Sequence, residues 1–142
     1  MFRCGTTSCM KNGIVKNSLG RFGEDLACRF LKKRGYRILQ RNYRKPWGEI
    51  DIIGRAPDRT LVFFEVKTLR EGEGENSLQP EDNMTAAKLR KLRTVCAGFV
   101  AKNPRLINEE SGWRIDVLAI TVPRGTLKIK GENCAITLYE NV

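Results

Sequence analysis

The stretch GEIDIIGRAPDRTLVFFEVKTLR, residues 48–70, constrains the fold of this chain more than any other. Two runs rich in Ile, Val and Phe flank APDR, whose Pro and Asp are turn residues. The pattern predicts an antiparallel hairpin, EIDIIGR against LVFFEVK. Side chains alternate between the faces of a strand, so Leu61, Phe63, Glu65 and Lys67 share one face and Val62, Phe64 and Val66 the other. In the first strand Glu49, Asp51 and Ile53 lie on one face, with Ile50 and Ile52 opposite. Folding about residues 56–59 sets Asp51 across from Glu65, with Cβ atoms about 4.5–5.5 Å apart.

Charged side chains inside such apolar runs require a reason. Two carboxylates that close repel unless a cation sits between them or one keeps a proton. Mg²⁺ takes oxygen ligands at about 2.0–2.1 Å, which Asp51 and Glu65 can supply. Lys67, one step along the same face, can then orient or deprotonate an attacking water, or stabilise charge on a phosphate. The alternative is a Glu–Lys surface pair on an exposed sheet face, the ordinary reading of an isolated ExK.

The rest of the chain supplies the frame. Residues 1–17 read as a flexible leader of small and polar residues, and 18–142 as one domain. Leu19, Phe22, Leu26 and Phe30 recur at helical spacing, with Ser18 as N-cap and Gly35 as stop. YRILQRNYR (36–44) reads as a strand, closed by a turn at Pro46-Trp47. Residues 71–83 form an acidic, Gly-bearing loop. A second helix runs from Asn83 or Thr85 to Lys102 and stops at Asn103-Pro104. WRIDVLAITV (113–122) is a strand, TLKIK (126–130) pairs with it, and the tail ENCAITLYENV is ambiguous. The expected architecture is α/β, a single-domain mixed sheet flanked by helices in the order αβββαββ.

Glu24 borders the apolar face of the first helix, near Gly20, Ala27 and Leu31 on the wheel. It either reaches a site beside the sheet or is an ordinary helix-edge carboxylate. Lys88 lies on the stripe Met84, Lys88, Leu92, Val95, Phe99, and either snorkels out or points at a phosphate. Arg90, Lys91 and Arg93 form a basic face, solvated or in contact with a nucleic-acid backbone.

Net charge is +10, from 26 Lys and Arg against 16 Asp and Glu, which favours a polyanionic partner. There is no histidine, which excludes Ser-His-Asp and Cys-His triads and any nuclease with a histidine base. The five cysteines are odd in number and form no CxxC pair, so neither a disulfide framework nor a zinc site is expected; Cys28 and Cys96 read as half-buried helix residues. No run is long and apolar enough for a membrane span and no secretory signal is evident, so no membrane partner and a cytoplasmic location are expected.

The residues LGRFGEDLACRFLKKRGYRILQRNYR, GEIDII, LVFFEVKT, Lys88 in MTAAKLRKL, and WRIDVLAI together resemble the YraN-like family of bacterial proteins, uncharacterised protein family 0102. That family is similar to Holliday-junction resolvases, with a restriction-endonuclease-like PD-(D/E)XK fold. The resemblance runs from Leu19 to the C-terminus. It implies that Asp51, Glu65 and the backbone carbonyl of Val66 bind Mg²⁺ or Mn²⁺, that Lys67 positions the nucleophilic water, and that Glu24 holds a second metal or its water. Asp116 matches a family position, and shares a face with Leu118 and Ile120 that suits a structural role. Glu49 belongs to GEID with no assigned role. Two features depart from the family pattern: Leu69 intervenes where the family follows EVK with TR, and the loop 71–83 is strongly acidic for a segment near phosphates.

The expected function is metal-dependent hydrolysis of DNA phosphodiesters by an endonuclease, with branched or structured DNA such as Holliday junctions as substrate. A two-fold homodimer would suit symmetric cutting of a junction. The alternatives are a non-catalytic nucleic-acid-binding module that retains the nuclease fold, and an interaction protein in which the charges form a buried network.

Overall fold

The computed structural model describes residues 8–72, 84–125 and 131–142, with side chains from residue 18 onward. Helix α1 (Ser8–Lys33) leads into strands β1 (Arg37–Lys45), β2 (Gly48–Arg55) and β3 (Leu61–Arg70). Helix α2 (Ala86–Lys102) follows, then a 3₁₀ turn at Pro104–Leu106, β4 (Trp113–Val122), a second 3₁₀ turn at Gly131–Asn133 and β5 (Ala135–Tyr139). The strands form one mixed sheet in the order β1-β2-β3-β4-β5. Only β3 and β4 pair in parallel; the other neighbours are antiparallel. A parallel pair needs a crossover, and α2 lies within it.

Each helix buries its apolar stripe on one face of the sheet. Leu26, Ala27, Cys28 and Leu31 of α1 pack with Ile52, Val62, Phe64, Leu118, Ile120 and Val122. On the other side Leu92, Val95, Cys96 and Phe99 of α2 pack with Ile50, Ile53, Leu61, Phe63 and Ile115. Phe63 makes edge-on ring contacts with Phe99 and Trp113 at 5.7 and 5.5 Å. Cys28 and Cys96 are fully buried free thiols, deeper than the half-burial expected.

Three expectations need correction. The first helix does not begin at an N-cap Ser18 but at Ser8, so residues 8–17 of the expected leader are helical; residues 1–7 lie outside the described ones. Residues 8–17 contain no proline and one glycine, and extending a nucleated helix costs little. Secondly, the ambiguous tail contains β5, which pairs with β4 from Val117↔Tyr139 to Thr121↔Ala135. The strand expected at 126–130 and most of the acidic loop lie outside the described residues. Thirdly, Ile50 and Ile52 do not share a face: Ile52 packs under α1, and Ile50 packs with Ile53 under α2.

Other boundaries match the sequence reading. Gly35 (φ +86) ends α1, with the Tyr36 amide donating to the Leu31 carbonyl at 3.0 Å and the Gly35 amide to Lys32 at 3.1 Å. Thr85 caps α2, its hydroxyl accepting from the Lys88 amide at 3.2 Å, and Asn103 closes it. The hairpin turns where APDR predicts, and its ladder runs Arg55↔Leu61, Gly54↔Val62, Ile53↔Phe63 and Ile52↔Phe64. The next step in that register would be Asp51 and Glu65.

Candidate active site

Asp51 sits at a gap in two ladders, although the register of β1 against β2 is the same on either side of it. In the β1–β2 ladder Arg41 pairs with Ile52 and Tyr43 with Ile50, while Asn42 and Asp51 between them drop out. Asn42 adopts a left-handed backbone, φ 51, a conformation that asparagine tolerates better than most residues. Strict alternation is lost across this step, since Ile50 and Ile53 pack in one cluster and Ile52 in the other. The β2–β3 ladder also ends here. Instead of pairing through its backbone, Asp51 accepts a 2.7 Å hydrogen bond from the Val66 amide on Oδ2. Asp51 and Glu65 thus do not form the ladder pair that regular alternation predicts; Asp51 meets β3 through its side chain, within electrostatic reach of Glu65.

Glu65 is buried, and its Oε1 receives two ammonium groups. Lys67 Nζ lies at 2.8 Å and Lys88 Nζ, arriving from α2, at 3.1 Å. Lys88 thus turns back to the sheet. The carboxylates respond in opposite directions. Asp51 is pushed up to about 7, by burial first, then by the Glu65 charge, with Glu24 and Glu49 adding to it against the Val66 hydrogen bond. Burial also raises Glu65, but its bonds and charge contacts with Lys67 and Lys88 outweigh burial and hold it below the ordinary value. Lys67 loses some of its charge preference to burial and regains more from its hydrogen bond to Glu65 and the Asp51 charge, so it sits above the usual lysine value. Near neutral pH the centre thus holds a charged Glu65, a charged Lys67 and an Asp51 shared between acid and carboxylate.

Glu24 approaches from α1 because Gly23 lets the helix touch β3. A Cβ on Gly23 would collide with the Thr68 hydroxyl, and would stand 3.0 Å from Thr68 Cβ. Glu24 also lies 3.7 Å from Arg41 of β1, whose Nη2 makes a tighter 2.7 Å pair with Asp25. Glu24 contributes to raising Asp51, which places its charge within electrostatic reach. Among the described residues, no three Asp, Glu, Cys or His side chains gather as a ready metal cluster. Asp51 and Glu65, with the Val66 backbone beside them, are the oxygen groups that meet on β2 and β3.

Of the remaining sequence candidates, Arg90 and Lys91 are exposed on α2. Arg93 donates to the Val142 carbonyl at 3.1 Å and so braces the C-terminus. Glu49 pairs with Arg44 at 3.4 Å on the surface. Asp116 is fully buried away from the carboxylate pair. It accepts from Arg114 Nε at 3.0 Å and from the Asn141 amide at 2.9 Å, and Arg114 Nη2 reaches Tyr36 OH at 3.2 Å and Glu140 at 3.5 Å. Its role is structural: it ties the chain end to the end of α1. Sequence reasoning missed Arg41 as the partner of Glu24 and Asp25. The signal was weak, since one arginine among several in RNYRK carries no pattern of its own.

Residues 23–120 match the family described as Uncharacterised protein family UPF0102. The chain belongs to this family. The matched span contains Glu24, Asp51, Glu65, Lys67 and Lys88, so the charged centre lies within the part that defines UPF0102 membership. Similar proteins come from bacteria. A UPF0102 protein of Roseiflexus castenholzii is 40% identical over 107 residues, covering 75% of this chain and 82% of its own. One from Syntrophomonas wolfei is 36% identical over 81% of this chain and 94% of its own. One from Thermotoga maritima is 37% identical over 76% and 90%. No helix among the described residues is long and apolar enough to cross a membrane.

Proposed function

We propose that this chain is a metal-dependent endonuclease that hydrolyses DNA phosphodiesters, on a restriction-endonuclease-like PD-(D/E)XK fold related to Holliday-junction resolvases, with branched DNA as its substrate. The observation that carries the reading is the unequal carboxylate pair. Asp51 is held by burial and by Glu65 in a place where its charge is disfavoured, raised to about 7. A folded protein retains such a residue most readily where a cation relieves it. The donor set suits Mg²⁺ or Mn²⁺: two carboxylates and the adjacent Val66 backbone, all oxygen donors. When bound, the ion would supply Lewis-acid stabilisation of phosphoryl charge.

The chain's own residues supply the rest. Lys67 keeps its proton, so its part is that of a hydrogen-bond donor and fixed positive charge: it orients the attacking water and stabilises charge on the phosphate. Lys88, held by Glu65, adds a second positive charge on the α2 side. Glu24, beyond Thr68, holds or orients a further water or ion. Arg90 and Lys91 contact the phosphate backbone, consistent with the net charge of +10. In this reading the protein works in the cytoplasm, as a two-fold dimer when it cuts a junction.

A second reading has one observation in its favour. Both lysines already neutralise one oxygen of Glu65, as they would in a nucleic-acid-binding module that retains the fold without catalysis. Cleavage assays separate the two. With Mn²⁺ or Mg²⁺, labelled four-way-junction DNA is expected to be cut, and Asp51→Ala and Lys67→Ala are each expected to lower the rate by about 10²-fold or more. Undiminished cutting by these variants would remove the site from the chemistry. Binding that weakens steeply with salt, with no cutting of junction, duplex or single strand, would establish the binding module.

A further inference from the structure

The turn between β1 and β2 carries Pro46 and Trp47, and Trp47 is 58% exposed. It is the one large hydrophobic side chain so exposed among the described residues. Trp113, the other tryptophan, packs edge-on against Phe63 at 5.5 Å, whereas no described aromatic ring contacts Trp47. Two-residue hairpin turns favour Gly, Asn and Asp, so turn formation gives no reason for an indole here. The residues before it are basic: Arg44, which pairs with Glu49 at 3.4 Å, and Lys45, whose Nζ lies 5.2 Å from the Tyr43 ring. The turn is also firmly based. A Cβ on Gly48 would come within 2.7 Å of Val95 Cγ2, so the start of β2 lies directly on α2.

The position relates this turn to the charged centre. Strands β2 and β3 are antiparallel, so the Trp47 end of β2 emerges at the same end of the sheet as Lys67 and Arg70. Trp47 precedes Asp51 by four residues, about 13 Å along a strand at about 3.3 Å per residue. That distance matches about four stacked nucleotide steps at about 3.4 Å each. An exposed aromatic on a turn with Arg44 and Lys45 beside it, this far from a phosphate-handling site, fits an unstacked nucleobase. Every base has a π-face for an indole, and the neighbouring backbone charge suits Arg44 and Lys45. A lipid surface fits less well, since it calls for several exposed apolar residues together.

We infer that Trp47 stacks on an unpaired base of single-stranded or branched DNA, and so selects substrates with exposed bases for the Asp51–Glu65 centre. This inference rests on the reading of that centre as a DNA site, but its test does not depend on cleavage. Trp113→Phe leaves Trp47 as the sole tryptophan reporter; if that variant is perturbed, the difference between wild type and Trp47→Phe serves instead. Titration is done in EDTA with an oligothymidine strand and with a blunt duplex. Saturable quenching by the single strand is expected, and Trp47→Ala should weaken single-strand binding roughly 5- to 150-fold while leaving duplex binding within about twofold. Quenching should survive Asp51→Asn. If junction DNA is never cut yet this quenching holds, the hydrolase reading fails and the base contact stands. Unchanged single-strand affinity in Trp47→Ala, absence of DNA binding, or bound DNA without quenching would overturn the inference. So would a fall in solution mass on Trp47→Ala without DNA, which would mark Trp47 as a contact between protein copies.

Discussion

Burial and the Glu65 charge raise the Asp51 carboxyl from 3.8 to about 7, whereas an unfolded aspartate titrates near about 3.9. Between those values the folded chain binds a proton that the unfolded chain has lost. Stability therefore falls as pH rises from about 4 to about 7 and stays low above that, by at most about 4 kcal/mol. Glu65 works in the opposite sense: its value is lowered, so the stability it gives with Lys67 is present above the ordinary carboxylate range and lost only in more acid solution. Thermal unfolding in EDTA is expected to show a melting temperature that declines between pH 5 and 8. Asp51→Asn should flatten that decline and melt higher than wild type at pH 8, because it removes a half-buried charge next to Glu65. An unchanged slope in Asp51→Asn would show that another group sets the neutral limb.

At the scale of elements, the join between α1 and β3 positions Glu24. Gly23 faces Thr68, and the β-branched side chain cannot simply rotate away, since its Cβ and Cγ2 both lie within 3.1 Å of the added methyl. Gly23→Ala is therefore expected to push α1 outward and destabilise by about 1–3 kcal/mol, read by denaturant unfolding, with Thr68→Ala restoring part of the loss. Equal stability of Gly23→Ala and wild type would mean the helix is not seated on β3 as described. Such joins are only partly legible in the sequence. GE beside a helical stripe marks the helix, but not the residue it touches. The register of the 51–65 hairpin was readable because its turn and alternation are local. The reversal that parts Ile50 from Ile52 was not, because it lies opposite a left-handed Asn42 in the neighbouring strand, which no local pattern in β2 announces. The early start of α1 was hidden for a simpler reason: residues 8–17 show little apolar periodicity, and a helix can extend without it.

For the whole molecule, strands β1 to β3 lie side by side in chain order, and α2 carries the chain over to β4 alongside β3 in parallel. This topology sets Glu65 at the centre of the sheet, with α2 above it to deliver Lys88 and α1 below to deliver Glu24. Sequence patterns show β1 to β4 as strands but leave β5 in an ambiguous tail; the partner of β4 follows from long-range packing, and so does the clamp of Asp116, Arg114, Tyr36 and Glu140 that closes the chain end. The membership of UPF0102 covers this core from Gly23 to Ile120. The proposed function requires that Asp51 and Glu65 together take a divalent cation. Calorimetric titration with Mn²⁺ at pH 6.5 and 8 addresses it most directly. Wild type is expected to bind Mn²⁺, more tightly at pH 8 and with proton release at pH 6.5, while Asp51→Asn and Glu65→Gln each lose that binding. No binding by wild type, or binding that both substitutions leave intact, would contradict it.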